Sequence, residues 1–186
     1  MELYYIITLF IIGTIFGSFF NVVGYRLPKE QSLVKPPSHC PNCNYRLKAL
    51  DLVPILSYLF LKGKCRNCKK KISWFYPLFE LLTGILFALS YYVFGFSIDL
   101  FISLVFVSSM IIIFISDYQT MIIPDEVIVF SGILILLLMF FKGGIDHFLL
   151  SLTNGLIAFL FMFLLKTFGD YVFKKEILEK NELLIP

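Results

Sequence analysis

The chain has 186 residues, of which 59% are apolar and 22 are phenylalanine, and its mean hydropathy is +0.86. A soluble domain averages about 45–50% apolar residues, so this composition, arranged in long blocks, excludes an ordinary soluble protein and points to a bilayer. The net charge of +3 gives no general affinity for polyanions, and no nucleic-acid partner is expected.

The chain opens Met-Glu-Leu-Tyr-Tyr, without the basic stretch of a cleaved signal peptide, and its apolar run continues to Val23, so the first helix is expected to be retained. Apolar segments follow at Tyr4–Val23, Tyr76–Phe94, Leu100–Ser116, Val127–Phe141 and Phe148–Leu165. A spanning helix needs about 20 apolar residues, which leaves the fourth segment short unless it borrows Met121–Ile123. Glu80 is the one clear charge inside these blocks. The predicted fold is an all-α polytopic membrane protein, with about five transmembrane helices and a small cytoplasmic four-cysteine loop of zinc-ribbon type. Its expected divisions are a first transmembrane helix (1–23), a zinc-knuckle domain (24–75) and a membrane domain (76–186). No internal repeat is evident.

Orientation follows from the basic residues. Eleven of the sixteen Lys and Arg lie between Gly24 and Phe75, beside only Glu30 and Asp51. The positive-inside rule makes this loop cytoplasmic and the N-terminus external. Alternation then puts Asp117–Glu126 on the cytoplasmic side and Lys142–His147 outside. The tail from Lys166 is cytoplasmic again, in agreement with its own lysines. On the first helix Gly13, Gly17 and Ser18 suit a close helix–helix contact, and Asn21, on the face of Gly17, can hydrogen-bond to a neighbour.

All four cysteines fall in the basic loop, as Cys40-Pro-Asn-Cys43 and Cys65-Arg-Asn-Cys68, with 21 residues between the pairs. Two tight turns of this kind complete a tetrahedral thiolate shell for a structural Zn²⁺. Lys64, Arg66, Lys69 and Lys70 are positioned in sequence to offset its negative charge. Disulfides are disfavoured in a reducing compartment. A catalytic zinc would want an open coordination position, which four cysteines do not leave.

Gly17-Ser-Phe-Phe-Asn-Val-Val23 with Tyr25-Arg-Leu-Pro28 resembles the opening motif of type IV prepilin peptidases. The similarity continues through Ser38-His-Cys-Pro-Asn-Cys43, Asp51-Leu-Val-Pro54, Ser57-Tyr58, Ile72-Ser73 and Tyr76-Pro77 to Glu80. Asp117-Tyr-Gln-Thr-Met-Ile-Ile-Pro-Asp125 is similar to the family's first aspartate motif. The resemblance implies a multi-pass aspartyl protease of the bacterial inner membrane. Such enzymes cut leader peptides from type IV prepilins or type II secretion pseudopilins, and those with the cysteine domain usually also methylate the new N-terminus with S-adenosylmethionine. No glycine-rich fingerprint for that cofactor is present, so methylation rests on the resemblance alone.

Aspartyl proteolysis needs two carboxylates close enough to share a proton. Asp117, at the cytoplasmic end of the third helix, matches one. Asp125 follows Pro124 and is expected to cap the fourth helix in support of the site. Glu80 is either part of the functional site or an interface residue paired with a loop Lys or Arg. In the family the second aspartate stands in Gly-x-Gly-Asp, which this sequence lacks. Phe168-Gly169-Asp170 keeps a Gly-Asp pair at short spacing. Glu179–Glu182 occupies the expected slot, with Glu182 at the aspartate's place. The expectation is therefore a truncated or degenerate relative, with an unusual pair through Asp170 or Glu182 as the third possibility. Two other classes compete: a relative that binds or only methylates prepilins, and a zinc-ribbon membrane scaffold.

Overall fold

The computed structural model describes the backbone of residues 2–182 and the side chains of residues 2–168. Every regular element among these residues is helical, with only two isolated β-bridges, His39 with Arg46 and Lys64 with Lys71. The long helices are α1 (Glu2–Arg26), α3 (Phe75–Phe94), α4 (Ile98–Thr120) and α5 (Asp125–Glu182), and a short α2 (Leu56–Phe60) lies in the cysteine loop. Among the described residues four helices are long and apolar enough to cross a membrane. The chain is a multi-pass membrane protein.

The helix boundaries follow local chemistry. α1 runs without a breaker until Pro28, which sits in the 3₁₀ turn Leu27–Lys29. α3 ends at Gly95, whose φ of 56° suits a residue without a Cβ. Ser97 caps α4 by accepting the Leu100 N–H. α4 closes at Met121, φ 53°, whose N–H returns 2.8 Å to the Asp117 carbonyl. Met121–Ile123 remain in the turn and are not borrowed by the next helix, which starts at Asp125 after the buried Pro124.

The fourth and fifth apolar segments both lie in α5, whose span Asp125–Phe168 covers 44 residues. At about 1.5 Å per residue this is twice the ~30 Å of a bilayer core. Non-helical geometry at Gly143 (φ −151°, ψ 23°) and Gly144 (φ 67°, ψ −153°) breaks it between the two segments. The expected loop Lys142–His147 thus shrinks to a two-glycine kink. Phe140 and Phe148 bring their rings to 6.4 Å on either side of it.

By its contacts the chain divides into residues 1–138 and 139–186, and the cysteine loop belongs to the first unit with α1, α3 and α4. There α1 and α3 pack most extensively, through small residues. A Cβ on Gly13 would lie 2.8 Å from Gly84 Cα, one on Gly17 2.8 Å from Glu80 Cα, and one on Gly84 2.7 Å from Thr14 Cγ2. In lipid, where burying apolar surface gains little, such close backbone approach is a main source of helix association. Gly24 lets α1 meet α4 at Ile112 and Ile115 in the same way. Phe20, Val23, Phe75, Phe79, Phe87, Ile111, Ile112, Ile115 and Val127 fill the core. Polar links cross it as well: Ser90 and Ser103 hydroxyls meet at 2.8 Å between α3 and α4. Asn21, as its sequence position suggested, donates across to the Tyr76 carbonyl at 3.3 Å as well as to Gly17 O at 3.0 Å.

Candidate metal centre and acidic turn

The four cysteines converge. Cys40 Sγ lies 3.8 Å from Cys68 Sγ and Cys43 Sγ 3.9 Å from Cys65 Sγ, and all four sulfurs lie within 4.8 Å of one another. No pair is bonded as a disulfide. A tetrahedron with Zn–S bonds of about 2.3 Å has edges near 3.8 Å, so the donor set fits a four-thiolate metal site.

Two matching turns deliver the sulfurs. The Asn44 N–H bonds back to Cys40 O at 2.9 Å, and the Lys69 N–H to Cys65 O at 3.1 Å. Asn44 (φ 52°) and Lys69 (φ 60°) occupy equivalent left-handed positions. Cys40 N–H donates to Tyr45 O as Cys65 N–H does to Lys70 O, both at 2.9 Å. The turns are a structural duplicate that sequence comparison missed, because beyond their Cys-x-Asn-Cys frames they share little.

The surrounding cations do not all serve the sulfurs. Arg66 Nε bonds Asp51 Oδ1 at 2.6 Å, and Lys70 Nζ bonds Asn42 Oδ1 at 2.8 Å. Burial alone would raise the Asp51 carboxyl. Hydrogen bonds from Arg66, the Lys48 N–H and the Tyr45 hydroxyl outweigh it and hold the group below the ordinary carboxylate value. The Lys70 backbone N–H, then Asn42 Nδ2, lower the Cys68 thiol to about 6. Cys40 is raised: N–H groups of Asn42 and Cys43 pull it down, but burial and the neighbouring thiols of Cys65 and Cys43 prevail.

Glu80 is buried in the second turn of α3 and has no Lys or Arg partner among the described residues. Its Oε2 accepts the Ile55 N–H at 2.7 Å, with Ser18 as a second polar neighbour. Of the two alternatives for Glu80, the ion pair with a loop Lys or Arg gives way to a backbone bond from the cysteine loop, which no sequence pattern signals.

Asp117 is exposed in the last turn of α4. Ser116, fully buried beside it, donates to Ile122 O at 2.5 Å and pins the α4–α5 turn. Tyr118 stacks on Phe75 at the start of α3, with centroids 4.7 Å apart. Asp117 therefore stands beside the start of α3, where the cysteine loop ends. Asp125 is exposed at the first helical position of α5, one residue past the cap position expected for it, and its charge complements the helix N-terminus. Asp170 and Glu182 lie outside the residues whose side chains are described.

The family described as Bacterial Peptidase A24 N-terminal domain matches residues 11–94. The prepilin leader peptidase/N-methyltransferase of Bacillus subtilis (strain 168) is 45% identical over 122 residues, covering 66% of this chain and 49% of the relative. That of Myxococcus xanthus (strain DK1622) is 38% identical over 170 residues, 91% of this chain and 50% of the relative. The Klebsiella pneumoniae enzyme of the same name is 44% identical over 123 residues, 63% and 54% respectively. The chain spans about half the length of the curated relatives it matches. No solved structure matches it. Matched along its first helix, its cysteine turns and the helices that carry Glu80 and Asp117, the chain belongs to the type IV prepilin peptidase family.

Proposed function

We propose that this protein is a prepilin leader peptidase that cuts the leader from type IV prepilins or type II secretion pseudopilins, with Asp117 as one of its two carboxylates. The observation that carries the reading is the exposed Asp117, held by a pinned turn beside the start of α3, where the cysteine loop ends. One carboxylate takes a proton from water while the other donates one to the scissile carbonyl oxygen, so neither suffices alone. The partner is sought at Asp170 and Glu182. Asp125 supports the turn, and Glu80 holds the cysteine loop to α3. The basic loop faces the cytoplasm of a bacterial inner membrane, with the N-terminus outside.

Cys40, Cys43, Cys65 and Cys68 would hold a Zn²⁺ in a closed shell. When bound, the metal cross-links the two turns and contributes folding energy rather than chemistry. For S-adenosylmethionine, the methyl donor the resemblance implies, no binding residues are assigned, and no step is built on it.

The test uses membranes holding the protein and a prepilin. Leader removal that disappears in Asp117→Asn, and also in Asp170→Asn or Glu182→Gln, supports the reading. Methylation or binding of the prepilin without cutting favours the second reading, a relative that grips prepilins but does not cleave them.

A further inference from the structure

α2 presents an apolar face that water does not explain. Leu56, Leu59 and Phe60 are 52%, 63% and 84% exposed, and Leu50, in the preceding 3₁₀ turn Ala49–Asp51, is 74% exposed. A groove of about 360 Å³ runs among Leu50, Val53, Leu56, Phe60 and Leu61, with Arg66 also lining it. Five helical residues do not hold a helix by themselves, so α2 depends on what it rests against. Exposed apolar clusters of this kind mark an interaction surface.

The depth of α2 identifies the partner. α3 has 20 residues. At 1.5 Å each they cover about 30 Å, the thickness of the hydrocarbon core, which leaves none to spare. Phe75 then lies at the boundary, flanked by the exposed rings of Trp74 and Tyr76, which suit the interfacial belt. Glu80 lies five residues further in, about 7.5 Å below that boundary. Helical side chains lean toward the N-terminus, so the Glu80 carboxylate reaches back toward that boundary, and the Ile55 N–H it holds at 2.7 Å places the residue that opens α2 just inside it. Interfacial helices bury their apolar face about 5–10 Å into the boundary between headgroups and acyl chains. The eleven basic residues of the loop against two acids supply the matching charge for anionic headgroups, and Lys62 and Lys64, just past α2, are both exposed.

The geometry points to α2 as a membrane-dipping anchor: Leu56, Leu59 and Phe60 insert among the acyl chains of an anionic phospholipid leaflet, and the adjoining lysines meet its phosphates. The cysteine centre is thereby held at a set height above the bilayer, from Glu80 on one side and from α2 on the other. This inference requires only the membrane fold and does not rest on the peptidase reading.

Trp74 is the single tryptophan of the chain, which permits a direct test. The full chain is reconstituted in vesicles of phosphatidylcholine and phosphatidylglycerol, as wild type and as Phe60→Trp in a Trp74→Phe background. Leu59→Trp in the same background serves if the first variant fails to retain metal. Quenching by lipids brominated on the upper acyl chain is compared with quenching by aqueous iodide. The inserted tryptophan is expected to be quenched by the brominated lipid at least as strongly as Trp74, and by iodide several-fold less than in the denatured chain. Strong iodide quenching with no response to brominated lipid would overturn the anchor. So would shielding from both quenchers, which would mean that protein covers α2.

Discussion

The buried carboxylate of Glu80 accepts the backbone N–H of Ile55 at 2.7 Å, and Ile55 is held there at φ 60° and ψ −52°. A β-branched residue at positive φ costs on the order of 1–3 kcal/mol. A hydrogen bond contributes about 1–3 kcal/mol depending on the charge of its acceptor, the same order as that strain. The pair accounts for an acid in an otherwise apolar helix and ties the cysteine loop to α3.

Glu80→Ala is expected to free residues 53–62. Loss of a bond worth about 1–3 kcal/mol corresponds to a roughly 5- to 150-fold increase in local opening, readable as hydrogen exchange at Ile55 and its neighbours. Glu80→Gln retains an acceptor oxygen and should show a smaller increase. Equal protection in wild type and Glu80→Ala would show that the link does not hold the loop.

Gly17→Val and Gly13→Val are expected to lower the thermal stability of detergent-solubilised protein by about 1–3 kcal/mol, because the new Cβ meets backbone and packed side chains of α3 rather than a yielding side-chain tip. Gly132→Ala, in α5, has nothing within 4 Å of its Cβ and should be neutral or gain up to about 1 kcal/mol from helix propensity. Thermal melts of the three variants check the contrast.

Metal analysis of the purified protein is expected to find about one Zn²⁺ per chain. In metal-free protein Cys68, lowered to about 6, should be roughly nine-tenths thiolate at pH 7 and alkylate well before Cys40, whose thiol is raised. Because the folded value lies below the ordinary thiol value, the thiolate's contribution to the fold is complete at high pH and is lost as pH falls through about 6. Asn42→Ala removes the Asn42 hydrogen bond to Cys68 and should slow its alkylation, as measured by mass spectrometry.

What the sequence made legible was whatever spacing encodes. Apolar blocks located α1, α3 and α4, Cys-x-x-Cys pairs located the sulfurs, and Gly13, Gly17 and Asn21 announced a close contact with some neighbouring helix, which the fold makes with α3. The partner of Glu80 was hidden because it is a backbone N–H, which nearly every residue carries. Arg66 looked like a counter-ion for thiolates, yet Asp51, fifteen positions earlier, binds it more directly. The Lys142–His147 loop collapsed onto Gly143 and Gly144 because two glycines can turn a helix within two residues.

The central claim is that Asp117 takes part in leader cleavage. Its most direct measurement is the fraction of prepilin processed in membranes carrying wild type or Asp117→Asn at matched levels and matched metal content. Processing by wild type that falls at least about a thousandfold in Asp117→Asn is the predicted result, since one carboxylate cannot serve as both acid and base. Undiminished processing by Asp117→Asn, or none by wild type, would contradict the account.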